Sequence, residues 1–147
     1  MGLRHAPIVV CYDSAMNDTD THSLRVISEV AARQRGLHLV VLFGSRARGD
    51  ATARSDWDVG YLGGELLDRE GLLADLVAAL GTEAVDLVDL DRANGLVRFR
   101  AARDGVVAFQ AVDDAFARFW FGAVSYWCDM GAIIRAGYED VLEELSR

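Results

Sequence analysis

The stretch GSRARGDATARSDWD, from Gly44 to Asp58, sets a Gly-Ser turn and three arginines ahead of two aspartates spaced one residue apart. On a strand, Asp56 and Asp58 face the same side, with Cα atoms roughly 6.6 Å apart. Two carboxylates so placed repel each other and suit a core poorly. Their hard oxygens suit Mg²⁺ or Mn²⁺; the plain alternative is a solvated strand end. The turn upstream changes the weighting. Gly44 permits close backbone approach, and Ser45 can cap a helix whose free N–H groups favour phosphate. Arg46 and Arg48 can add charge to the same anion. Here the alternative is an ordinary strand-to-helix turn with solvated arginines.

Gly44 to Gly49 also has the glycine spacing of a P-loop, but Asp50 and Ala51 stand where lysine and a hydroxyl residue are required. A metal must therefore be held elsewhere, and Asp56 and Asp58 are the nearest candidates. A third carboxylate would complete a two-metal site. In VDLVDL, Asp86 and Val88 share one strand face, and Val85, Leu87 and Asp89 share the other. Only one of the two acids can face the pair. Asp86 is selected, because a carboxylate deep within a strand is costly without a cation. Asp89 is read as a cap for the following helix, with Asp91 competing for that role.

The elements that must position these residues follow from periodicity. Thr19–Gly36 reads as a helix, with Leu24, Ile27, Val30 and Ala31 at helical spacing and Gly36 as its stop. LHLVVLF, Leu37–Phe43, is a buried strand bounded by glycines, and a short helix or turn follows Gly44 and Ser45. Asp56–Leu62 is a second strand, Glu65–Leu80 an amphipathic helix, and Ala84–Leu90 a third strand. Arg92–Arg103 is a helix stopped by Gly105, and Val106–Gln110 a short edge strand. Asp113–Leu145 is helical, with a break near Gly131. Val9–Cys11 adds an extended segment. The fold class is α/β (α+β), a small mixed sheet backed by helices over about residues 20–112 and a helical tail over 113–147. In that tail Phe116, Phe119, Trp120, Val124, Trp127, Ile133, Ile134 and Tyr138 recur every three or four residues, as either core or a partner-binding surface.

Composition bounds the function. The chain has 147 residues, is 52% hydrophobic and carries one proline, which fits a single globular domain without a linker. Its formal charge of −8 repels nucleic acid, so no direct nucleic-acid binding is expected. Cys11 and Cys128 lie far apart without CxxC spacing, and His5, His22 and His38 show no ligand spacing. No apolar run suits a membrane span or a long signal core, so a cytoplasmic location is expected.

The order Gly44, Ser45, Arg48, Gly49, then Ser55, Asp56 and Asp58, with Asp86 on a later strand, resembles the nucleotidyltransferase superfamily typified by DNA polymerase β. It is most similar to its minimal members, the MntA-like antitoxins paired with HEPN toxins. The resemblance covers roughly Ser23–Phe116, and DLVDLDRANGLVRFRAARDGVVAF is similar to the segment that follows the third acid in those proteins. It implies that Asp56 and Asp58 bridge two Mg²⁺ ions (Mn²⁺ in their place), that Asp86 ligates one of them, and that ATP is the substrate. It implies that Gly44, Ser45 and Arg48 grip its β- and γ-phosphates, and that AMP passes to a tyrosine of a HEPN-domain toxin. A non-catalytic antitoxin acting by binding and a small-molecule nucleotidyltransferase are the competing readings.

Overall fold

The computed structural model describes residues 18–146, so the extended segment expected at Val9–Cys11 lies outside the described residues. The elements run α1 (Asp18–Ala32), β1 (Leu37–Phe43), α2 (Ser45–Arg48), β2 (Trp57–Gly63), α3 (Arg69–Leu80), β3 (Val85–Asp89), α4 (Gly95–Asp104), β4 (Val106–Gln110) and α5 (Ala115–Leu145). The four strands form one mixed sheet in the order β3-β2-β1-β4. β1 pairs antiparallel with β2 and β4, while β2 and β3 run parallel.

Helices cover both faces of this sheet. Leu24, Ile27, Val30 and Ala31 of α1 and Leu72 and Leu76 of α3 pack on Val40, Leu42, Trp57, Val59, Tyr61 and Leu87. On the opposite face, Ala101 and Ala102 of α4 and Ala115, Phe119 and Ala123 of α5 pack on Leu39, Val41, Phe43 and Leu90. β1 is central and covered on both sides, which is why it is a continuous apolar run with only His38 exposed. β2 alternates instead: Trp57, Val59 and Tyr61 go to the α1/α3 side, leaving Asp58 on the α4 side.

Several boundaries differ from the periodicity, each for a local reason. α1 stops at Ala32, not at Gly36, because the N–H groups of Arg33 and Gln34 fold back to the carbonyls three residues earlier, at 3.2 and 3.0 Å. α3 begins at Arg69, not at Glu65, because the Asp68 carboxylate accepts from the Gly71 N–H and caps the helix there. α4 begins at Gly95, not at Arg92. Its cap is Asn94, whose side chain accepts from the Val97 N–H, rather than Asp89 or Asp91. Asp89 Oδ1 accepts from the Asp91 N–H instead and closes the turn between β3 and α4. The break expected near Gly131 does not occur: α5 is a continuous helix of 31 residues. A glycine in a helix interior costs only about 1 kcal/mol, and α5 runs through Gly122, Gly131 and Gly137 alike.

Candidate active site

The site is built where β1 ends beside the starts of β2 and β3. Phe43 pairs with Asp58, and Asp58 in turn pairs with Asp86 on the parallel neighbour. This register puts the Asp58 and Asp86 side chains on the same face of adjacent strands. Asp56 immediately precedes β2 and is exposed. The chain leaves β1 through Gly44, at φ 72° and ψ −156°, a region essentially closed to residues with a side chain. A second constraint acts at the same place: a Cβ on Gly44 would run into the Asp58 carboxylate. The turn therefore lies directly against the acid.

Behind the turn, α2 is a single four-residue piece closed by Gly49 in the left-handed conformation. The loop to β2 is pinned by Ser55, whose Oγ accepts from the Thr52 N–H at 2.9 Å and whose own N–H donates to the Thr52 carbonyl at 3.0 Å. Ser55 thus shapes the approach to the paired acids.

A cleft of about 630 Å³ opens over these residues. Gly44, Ser45, Arg48, Asp58 and Asp86 line one wall, and Asn94, Val97, Arg100 and Arg103 of α4 line the other. Arg48 lies 3.5 Å from Asp104 and 3.4 Å from Asp50. Arg103 donates twice to Asp104, at 2.8 and 2.7 Å. Asp104 therefore ties one arginine from each wall, and the hydrogen bonds from Arg103 hold its carboxyl below the usual range. Asp58 moves the other way. Burial raises its pKa, and the charges of Asp86 and Asp56 add to the rise; Arg48 and Arg100 oppose it.

Arg46 does not join this cleft. Its guanidinium lies 4.3 Å over the Trp57 ring and 3.7 Å from the buried Asp20, and it donates to the Ser55 carbonyl at 2.9 Å. The sequence places Arg46 beside Arg48 on the phosphate turn, whereas its side chain runs under the sheet face that Trp57 occupies. Asp86 faces the site from an edge strand and is exposed, not deep within the sheet as the sequence suggests.

The arginines of α4 were missed from the sequence. Their signal was present: Arg100 and Arg103 are three apart and share a helix face. Among the described residues, no three acidic, histidine or cysteine side chains close into ready metal-binding geometry. The donor set nevertheless fits Mg²⁺ or Mn²⁺. It is all carboxylate oxygen; burial first and then the charges of Asp86 and Asp56 raise the Asp58 pKa, and a divalent cation relieves that repulsion.

The polymerase beta nucleotidyltransferase family model matches residues 25–114. The protein adenylyltransferase MntA of Aphanizomenon flos-aquae (strain 2012/KM1/D3) is 30% identical over 109 residues, spanning 66% of this chain and 70% of that protein. A crystal structure of a toxin–antitoxin with AMP-PNP superposes with a TM-score of 0.63 at 25% identity, over 86% of this chain and 99% of that one. A crystal structure of the MntA–HepT toxin–antitoxin shares the fold, with a TM-score of 0.61 at 24% identity over 83% and 98% of the two chains. The family match takes in the glycine turn, both paired acids, Asp86 and the arginine-bearing helix together, and the chain belongs to the polymerase β nucleotidyltransferase family.

Proposed function

We propose that this nucleotidyltransferase is an antitoxin that moves AMP from ATP onto a tyrosine hydroxyl of a cognate HEPN-domain toxin. The observation that carries the transfer chemistry is the register of Asp58 against Asp86 with the Gly44 turn on the same carboxylate. One ligand lying in the cleft would meet Arg48 and the acids on one wall and the arginines of α4 on the other. The MntA relative supports protein adenylylation, and the AMP-PNP complex supports a nucleoside triphosphate and a toxin partner.

In this reading Gly44, Ser45 and Arg48 hold the β- and γ-phosphates, and Arg100 and Arg103 face them from α4. Asp56, Asp58 and Asp86 would hold two Mg²⁺ ions, which when bound neutralise phosphate charge and ease deprotonation of the acceptor. The tyrosine oxygen attacks the α-phosphorus in line. Its bond to phosphorus forms as the bond to the β-phosphate oxygen breaks, the hydroxyl proton is lost, and pyrophosphate leaves. The protein's own contribution is position and fixed charge. No described helix is long and apolar enough to cross a membrane, and the proposed setting is the cytoplasm beside the toxin.

The test incubates the protein and its candidate toxin with ATP labelled at the α-phosphate and Mg²⁺. Controls carry γ-label, a chelator, or the Asp56→Asn/Asp58→Asn variant. Label on the toxin with α-ATP alone, lost in all three controls, is the expected result. Label on a small molecule or RNA would keep the chemistry and discard the acceptor. Toxin neutralised without any label would replace the proposal with an antitoxin that acts by binding.

A further inference from the structure

A second cavity, of about 310 Å³, opens at the other end of the same sheet face. His38 lines it at the start of β1, whereas the nucleotide cleft begins at Phe43. Five residue steps along β1 separate the two, about 17 Å at ~3.3 Å per residue. α4 serves both. Arg98 and Arg100 are two residues apart, roughly 200° around the helix, so Arg100 enters the nucleotide cleft while Arg98 enters the second pocket.

The pocket's charge is unbalanced. Arg98 and Arg118 both line it, and its single carboxylate, on the exposed Asp91, forms no ion pair with either among the described residues. Arg98 is half-buried, and its Nε is fully shielded from solvent without a hydrogen-bond partner. Among the described residues, its side-chain partner is the Phe119 ring, 5.7 Å from the guanidinium carbon. Such a stack repays little of the cost of an unbonded buried donor. Arg118 makes one long bond, to the Asp113 carbonyl at 3.4 Å. In a chain of net charge −8, two arginines meet an imidazole on a concave surface and, among the described residues, neither is ion-paired. Leu62, Val112 and Phe119 supply an apolar wall beside them.

We propose that this pocket is a second anion site, separate from the nucleotide cleft, which takes a phosphate or carboxylate group borne on a small apolar body. Arg98 and Arg118 would pair with the anion, His38 would add a ring N–H, and the Phe119 wall would take the body. The concave shape and size fit a small molecule.

The probes are inorganic phosphate and acetate, titrated into the full-length protein and followed by ¹H–¹⁵N NMR. The expected result is saturable shifts at the amides of His38, Arg98, Ala115 and Phe119. R98M, which keeps an apolar stem, and R118M should each weaken binding at least about 10-fold. Asp58→Asn should leave these shifts in place. R118M alters an exposed side chain and keeps the test decisive should R98M fail to fold. Shifts confined to the Ser45–Arg48 turn would overturn the proposal, as would unchanged affinity in R118M and in folded R98M. A response to an acidic peptide but to neither free anion would give the pocket to a protein partner and overturn it equally.

Discussion

Asp58 is where chemistry and folding oppose each other. Burial and the neighbouring charges of Asp86 and Asp56 raise its pKa above the ordinary 3.8, so the ionised form is the costly one in the folded chain. Stability is then fullest below the unfolded value and is lost as pH rises through the folded one. Asp58→Asn removes that cost. The variant should match the parent in thermal unfolding at pH 3.5, melt slightly higher at pH 7 without metal, and lose more than about 100-fold in transferase rate. A lower melting temperature at pH 7 would show that the carboxylate is not strained there. Gly44→Ala tests the same contact from the other side. The backbone there is nearly closed to alanine, and the new methyl meets the Asp58 carboxylate. It should cost about 1–3 kcal/mol of stability in denaturant unfolding and displace Asp58 enough to abolish turnover.

The elements explain how far the sequence could be read. The β1 run and the DWDVGYL alternation depend on local period alone, and both strands form within a residue of where that period puts them. The two-residue period sets Asp58 and Asp86 each on one face of its strand, but it does not reach Asp56, which precedes β2, and it puts Asp86 and Asp89 on opposite faces without choosing between them. What escaped were features set by partners distant in the chain. Arg46 looks like a cleft arginine until α1 brings Asp20 beneath it and Trp57 supplies a ring. Asn94 caps α4 because the Asp89 turn delays the helix by three residues. Asp104 reaches Arg48 only once β1 and α4 are assembled. Arg46 consequently grips both the carbonyl before Asp56 and the ring between the acids, from the face opposite the cleft. R46M should lower kcat about 10- to 100-fold, weaken Mn²⁺ binding in parallel, and leave the KM for ATP within about threefold. R46K should not rescue it, since an ammonium cannot stack and reach the Ser55 carbonyl together. A fall in melting temperature alone, with Mn²⁺ affinity and kcat intact well below the transition, would reduce Arg46 to a stabilising residue.

For the whole molecule, the open question is what the far end of the fold is for. α5 is about 46 Å long at ~1.5 Å per residue, more than the sheet can cover. Its first turns pay their way in packing: Ala115, Phe119 and Ala123 are buried, and Trp127 stacks on Phe99 at 5.2 Å. The expected aromatic stripe therefore divides. Phe119 belongs to the core, while Trp120 and Ile133 are 44% and 64% exposed; Phe121, outside the expected stripe, is 70% exposed beside Trp120. Large exposed aromatics of this kind are concentrated in protein interfaces, and the proposed function supplies a toxin for them to meet. Under the proposed function, W120A and F121A should leave unfolding free energy within about 0.5 kcal/mol of the parent, as for surface changes generally. Each should weaken capture of the cognate toxin by at least about 10-fold in a titration, since buried aromatic anchors carry most of an interface's energy. The same variants should modify the toxin slowly at low concentration and recover the parent rate when the toxin is saturating, because the catalytic cleft is untouched. A loss of rate that persists at saturation would place these aromatics in the support of α4 and its arginines, through the α4–α5 packing, and toxin docking would have to be sought on another face.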